Sequence, residues 1–276
     1  MPSIILPSVL SRKPAPGSVP DFNHPLMSGL VGWWPLIEGG GNRVSDYSKY
    51  GAHATIHMNN LTTSSVWAPG NPRFGGMGLN LDGLNDYVAP PGTSINRPTS
   101  EVTLSLWVKF DVIDLAILLI NRSGGAEISG PTIFLFGNQF QFWVSTSGAW
   151  DTQLNSDANA VTGVWYHVVG TWKSGESRMY VNGVQQVDTE ADTGTINYIL
   201  GRDWRIGADD NSNRLNGQMD DVRIYNRALS HAEVLQIYTN PWQPFRARRY
   251  WAVTAEEAPP PPPAFKPPTM LTLGIG

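Results

Sequence analysis

Glu190 and Asp192 are the closest this sequence comes to a paired-carboxylate string. Cleaving a glycosidic bond needs a nucleophile and a proton donor facing one sugar, about 5–5.5 Å apart in retaining enzymes. Glu190-Ala191-Asp192-Thr193-Gly194-Thr195 offers no second glutamate and reads as loop, so both acids are expected to be solvated charges. The five histidines are His24, His53, His57, His167 and His231. They accompany neither a Gly-x-Ser-x-Gly elbow nor a phosphate-cradling Gly-x-x-x-x-Gly-Lys string. His167 lies in a strand-like stretch and reads as structural. With no cysteine, disulfides and thiolate metal sites are excluded. Asp209-Asp210-Asn211-Ser212-Asn213 alternates oxygen ligands as calcium loops do. Arg214, however, stands where an EF-hand needs glycine, and Asp220 where it needs glutamate. No catalytic residue is assigned, and no enzymatic activity is expected.

Binding chemistry is better represented. Sugar C–H faces stack on exposed aromatic rings beside amide or carboxylate partners. Trp143, Trp150 with Asp151, and Trp204 lie in or beside stretches rich in Ser, Asn, Gln and Asp, and are the carbohydrate-binding candidates. Near the C-terminus, Trp242, Phe245, Arg246, Arg248, Arg249 and Trp251 form a basic, aromatic cluster of the kind protein interfaces enrich. A net charge of −4, with Glu256 and Glu257 close by, favours an acidic protein surface over nucleic acid as its partner.

The elements that must position these groups follow from composition and pattern. Of 276 residues, 41% are apolar and only 15% charged, and 11 tryptophans accompany 28 glycines. This balance points to an all-β protein packing aromatics between sheets. Val102, Leu104, Leu106, Val108 and Phe110 alternate on one face of the clearest strand, with Trp107 on a face that is wet or meets a loop. Further strands are expected at Ile133–Phe136, Gln139–Val144, Val164–Thr171, Met179–Val181, Val184–Val187 and Asp221–Tyr225. Asn182-Gly183 is a hairpin signal. Ser230-His231-Ala232-Glu233 is a capping box that starts a short helix over His231–Tyr238. The expected fold is a two-sheet antiparallel jelly-roll sandwich with one short C-terminal helix.

Prolines divide the chain. Of 22, six lie in residues 1–25, seven in 259–268 and two in Asn240–Pro244. Clustered proline favours extended, solvated backbone. The expected organisation is an extended N-terminal arm (1–26), one sandwich (27–240) and a C-terminal anchoring tail (241–276) with a polyproline rod. The longest apolar run, Leu115–Ile120, is six residues, too short to cross a membrane as a helix. The first residues lack a basic region, so no secretory signal is expected.

Five ordered blocks resemble laminin G-like domains of the concanavalin A-like lectin/glucanase superfamily. They are Gly32-Trp33-Trp34-Pro35-Leu36 with Val44–Ser48, then Leu81–Val88, Val102–Val108, Trp165-Tyr166-His167 with Tyr180-Val181-Asn182-Gly183, and Gly217–Ser230. The resemblance implies two stacked antiparallel sheets. It also implies one structural Ca²⁺, with Asp46 and Asp220, then Asp82, at the matching positions; the plain alternative is that these aspartates cap turns. Laminarinase-type members carry Glu-x-Asp-x-x-Glu, and here Thr195 replaces the last glutamate. Asn240-Pro241-Trp242-Gln243-Pro244-Phe245 resembles tailed-phage structural proteins. Together these imply a non-enzymatic virion protein, such as a capsid decoration or head/tail appendage. It would be assembled in the bacterial cytoplasm and anchored by its termini to other capsid or tail subunits or to copies of itself. Recognition of host-surface glycans is the alternative role, and glycoside hydrolysis a third. On this reading, a chain lacking 241–276 should fold but fail to join particles.

Overall fold

Alternating side chains dictate two layers, because each strand must bury one face. The computed structural model describes residues 12–58, 66–121, 129–209 and 213–245. Its strands are β1 (Leu30–Trp34), β2 (Arg43–Val44), β3 (Ala54–His57), β4 (Trp67–Pro69), β5 (Met77–Asp82), β6 (Tyr87–Ala89), β7 (Glu101–Phe110) and β8 (Ala116–Ile120). They continue as β9 (Pro131–Phe136), β10 (Gln139–Val144), β11 (Thr152–Asn159), β12 (Trp165–Lys173), β13 (Glu176–Val181), β14 (Val184–Glu190), β15 (Arg205–Ile206) and β16 (Asn216–Tyr225). Helix α1 (His231–Thr239) follows.

One sheet runs β14-β13-β12-β7-β16-β5-β4, with β1 also paired to β16; the other runs β11-β10-β9-β8-β15-β6-β3-β2. Between them lies the main core, to which β7 contributes Val102, Leu104, Leu106, Val108 and Phe110, and β10 contributes Phe140, Phe142 and Val144. Only glycine fits at 170, where a Cβ would overlap the Phe142 ring. The hairpin joining β13 to β14 turns at Asn182 and Gly183, both at positive φ (52° and 78°). Ser230 caps α1 with the expected box: its hydroxyl accepts from Glu233 N–H while the Glu233 carboxylate accepts from Ser230 N–H.

A second apolar layer covers the outward face of the first sheet. Trp33, Trp107, Val169, Tyr180 and Tyr225 project there and are roofed by Val234 and Ile237 of α1, by Leu26 and Met27, and by Trp242 and Phe245. Trp107 thus meets Phe74 and Tyr238 instead of water. Trp242 stacks on Trp33 (6.3 Å, 13°), and Phe245 tilts against the same ring at 5.0 Å.

These contacts correct two expectations. Trp242 and Phe245 are not partner anchors: they are 1% and 7% exposed and complete the chain's own outer layer. The packed unit also extends beyond 27–240. Asp21 N–H donates to Pro244 O at 2.6 Å, and Pro20 bridges to Phe245, so arm and tail pair with each other over the sandwich. Lys13 reaches inward, its ammonium donating to Leu36 O at 3.0 Å and also bonding Met77 O and the Asp220 carboxylate. The other expected anchors, Arg246, Arg248, Arg249 and Trp251, and the polyproline rod lie outside the described residues.

Beneath Trp242 sits a buried ion pair. Arg223, 0% exposed, binds Asp221 through Nε and Nη2 at 3.0 Å each, and Nη2 also reaches Pro241 O at 2.6 Å. Trp33 Nε1 donates to Asp221 Oδ1 at 2.7 Å, and the guanidinium lies 4.4 Å over the Trp33 ring. A bulge between Asp220 and Arg223 turns Asp221 toward this layer, at a φ of 48°.

The two sheets meet at a seam of side chains. Along β14, Gln186, Asp188 and Glu190 accept in turn from the backbone N–H groups of Asp157, Asn155 and Gln153 on β11, at 2.9, 3.0 and 2.7 Å. Asp157 returns the favour by accepting from Val187 N–H at 2.7 Å. Every second residue of one free edge therefore satisfies an N–H of the other, which blunts two edges that would otherwise pair with foreign strands.

Candidate functional site

The register of the second sheet decides which side chains face away from the core. Ile133, Leu135, Phe140 and Phe142 point inward. The alternate residues therefore point outward: Thr132, Phe134 and Phe136 on β9, Gln139, Gln141 and Trp143 on β10, Gln153 and Asn155 on β11. Cross-strand pairing sets them in rows, Thr132–Trp143–Gln153 and Phe134–Gln141–Asn155.

An aromatic strip runs across these rows. Phe134 meets Trp143 edge-on (4.8 Å, 89°), and Trp143 meets Trp150 the same way (5.6 Å, 61°). Both tryptophans are half-buried, while Gln153 and Phe136 are exposed. Trp150 is presented by a turn that Asp151 ties shut, its carboxylate accepting from Thr146 N–H, Ser147 N–H and the Ser147 hydroxyl at 2.7, 2.9 and 2.7 Å. Those bonds hold the Asp151 carboxyl below its ordinary range against the opposing effect of burial. Gln153 Nε2 donates to Trp150 O at 2.9 Å, which fixes an amide beside the ring. Thr132 Oγ1, Gln141 Oε1 and Trp143 Nε1, within the same rows, have no hydrogen-bond partner. Each such buried group costs roughly 1–3 kcal/mol.

Of the sugar candidates, Trp143, Trp150 and Asp151 come together here. Trp204 does not: it is 0% exposed, and its Nε1 donates to Asn96 O at 3.0 Å. Polar neighbours in sequence concealed a core residue. Phe134 and Gln141, buried at 7% and 6% exposure, back the strip, and only strand pairing shows which way they face.

The three aspartates matched to a calcium site are each held by protein donors. Asp46 accepts from Trp33 N–H, Ser48 N–H, Ala52 N–H and the Ser48 hydroxyl at 2.7–2.8 Å. Asp82 caps a turn by accepting from Leu84 and Asn85 N–H. Asp220 binds Lys13 and accepts from Asn71 N–H at 3.1 Å; burial pushes its carboxyl up to about 6, against the pull of the Lys13 ammonium. Among the described residues no three acidic or histidine side chains gather as a metal site would require, and these donor-filled carboxylates do not fit Ca²⁺.

Glu190 is a strand residue, whereas Asp192 lies in the loop after β14, as expected, but is half-buried there. Glu190 ends β14 in the seam, and Asp192 accepts from the Thr152 hydroxyl at 2.9 Å. Burial raises the Glu190 carboxyl, the Gln153 N–H opposes this, and Asp192 reinforces it. His167 is fully buried, with Ser105 Oγ 3.0 Å from Nε2 and no partner for Nδ1. Burial, with Arg223 and Arg73 nearby, lowers it to about 3. Its unfolded value is near 6.5, so between these values the unfolded chain takes up a proton that the native state refuses. Stability is expected to fall as pH drops from about 6.5, by on the order of 3 kcal/mol at pH 4. Urea titrations of wild type and His167→Gln check this: the variant's midpoint should vary less over that window, and parallel curves would refute it.

A family profile described as the concanavalin A-like lectin/glucanases superfamily matches residues 82–235, more than half of the sequence. The chain belongs to that superfamily. No curated protein matches it in sequence. Solved structures share its fold. Domain 4 of AbnA, a GH43 extracellular arabinanase from Geobacillus stearothermophilus in complex with arabinotriose, is 19% identical with a TM-score of 0.58, covering 76% of this chain and 98% of that one. The binding domain of Paraclostridial Mosquitocidal Protein 1 is 16% identical with a TM-score of 0.60, covering 77% and 52%. Trypanosoma rangeli sialidase in complex with sialic acid is 15% identical with a TM-score of 0.56, covering 76% and 32%. The chain thus spans nearly all of the first, about half of the second and a third of the third. Superfamily membership establishes a lectin-like sandwich; activity must come from the site.

Proposed function

We propose that this chain is a non-catalytic glycan-binding sandwich that grips sugars on the outward face of its second sheet. The observation that carries the reading is the half-buried edge-to-face pair Trp143–Trp150 beside the Gln153 amide. Half-buried rings offer a flat apolar face at little entropic cost, and adjacent amides supply the directional hydrogen bonds that sugar hydroxyls need. The relatives crystallised with arabinotriose and sialic acid make a saccharide the natural ligand class to test. The Glu190–Asp192 acids are engaged in the seam, which favours binding over hydrolysis. A glycan array probed with the full chain is expected to give a saturable signal that Trp150→Ala reduces at least tenfold with unchanged thermal stability. No signal on any glycan, or equal signals from both proteins, would overturn the reading.

A second proposal concerns where the sandwich is displayed: on the particle of a tailed phage. The support is the resemblance of Asn240–Phe245 to phage structural proteins, together with the proline-rich residues that follow. On this reading attachment falls to residues beyond Phe245, since Trp242 and Phe245 are already used within the fold.

A further inference from the structure

A pocket of about 590 Å³ opens between the segment after β6 and the segment leading to β15. Among the described residues its lining includes Ser94, Arg97, Thr99, Asn197, Tyr198 and Leu200, and no acidic side chain. The volume suits a small ligand. Ile196 N–H donates to Thr99 O at 2.8 Å, holding the two walls together, and Tyr198 rests edge-on against the buried Trp204 at 6.5 Å.

Its chemistry is one-sided. Arg97 donates to Gly92 O through Nη2 at 2.5 Å, and its Nε has no partner. The Tyr198 hydroxyl is likewise buried and unpartnered. A half-buried guanidinium whose Nε is unused, next to an unused phenol, leaves donors unmet, and a carboxylate is the group that matches a guanidinium in shape and charge. Main-chain bonds join the pocket to the aromatic strip: Asn197 N–H donates to Ser145 O at 2.8 Å and Asn197 O accepts from Gly130 N–H at 2.6 Å. Ser145 directly follows β10, two residues beyond Trp143, and Gly130 directly precedes β9, two before Thr132.

We infer that this pocket binds the carboxylate of an acidic sugar, so that the glycan recognised by the strip carries a uronic- or sialic-acid-type residue. The guanidinium of Arg97 would pair with the carboxylate, the Tyr198 hydroxyl and the Asn197 amide would meet ring hydroxyls, and the remainder of the glycan would continue toward Trp150. The assignment of the glycan rests on the sugar-binding reading above, but the pocket can be tested apart from it.

Titrating the full chain with D-glucuronate, N-acetylneuraminate, D-glucose and acetate, followed by NMR, separates the possibilities. Saturable binding of one acidic sugar, at least tenfold tighter than glucose and acetate, is expected. Arg97→Gln should weaken it at least tenfold, Tyr198→Phe several-fold, and Trp150→Ala less than twofold. Acetate binding as tightly as the acidic sugars would mean a site for any small carboxylate and overturn the sugar assignment. No binding of either acid, or binding that Arg97→Gln leaves unchanged, would overturn the pocket itself. Loss of array binding in Trp150→Ala with this pocket intact would uphold the strip independently, and an acid-sugar site on a chain silent to every array glycan would sink the strip alone.

Discussion

Ending the chain at Asn240 is expected to unfold it or leave it barely stable, whereas ending it at Phe245 is not. The shorter form loses Trp242, stacked on Trp33, and Phe245, packed on the same ring. It also removes Pro241 O, which accepts from the buried Arg223 guanidinium at 2.6 Å. Stripping one large buried aromatic costs about 3–5 kcal/mol, and two such losses approach the 5–15 kcal/mol that holds a typical domain together. The longer form keeps every one of these contacts. Urea unfolding of the two truncations beside the full chain is the test. The form ending at Phe245 should match the full chain in midpoint, and the form ending at Asn240 should show a collapsed or absent transition. Equal midpoints for all three would show that the outer layer contributes nothing. The form ending at Phe245 also isolates the tail: on the virion reading it folds but is absent from purified particles.

The second large effect is expected at Asp221. Asp221→Asn keeps the size, the tolerance of the left-handed backbone and an acceptor for Trp33 Nε1, yet removes the charge that compensates Arg223. Breaking a buried pair by neutralising one partner costs about 3–5 kcal/mol, because the other charge is left without compensation. Replacing both partners should be milder than replacing one, so Asp221→Asn combined with Arg223→Met should recover part of the loss. Chemical denaturation of the single and double variants reads this directly; a single variant within about 1 kcal/mol of wild type would contradict the coupling.

Local signals that coincide with burial were legible in the sequence. The alternation in Val102–Phe110, the Asn182-Gly183 turn and the capping box at Ser230 each specify one local geometry, and the structure contains all three. The register of the closing strand was partly hidden, because Asp220 and Asp221 look like successive strand positions while the bulge sends one to Lys13 and the other to Arg223. Strand β11 was missed: Thr152–Asn159 is polar apart from Leu154 and Ala158, and its free edge is satisfied by β14 side chains far along the chain. The terminal segments were misjudged for a related reason. Proline marks backbone that leaves the sheet ladder, but it does not say whether neighbouring aromatics cover a sheet face, as Trp242 and Phe245 do. At the sugar face, Trp150 and Gln153 are adjacent enough in sequence to be suspected, whereas Phe134 and Gln141 acquire their places only through pairing.

The proposed sugar face is tested most directly by following indole N–H resonances while the strongest array ligand is titrated into the full chain. Trp143 and Trp150, identified by the peaks lost in Trp143→Phe and Trp150→Phe, should shift together and saturate with one dissociation constant. Trp33 and Trp172, both 0% exposed beneath other layers, should stay in place. Shifts confined to other tryptophans, with those two unmoved at saturation, would contradict it.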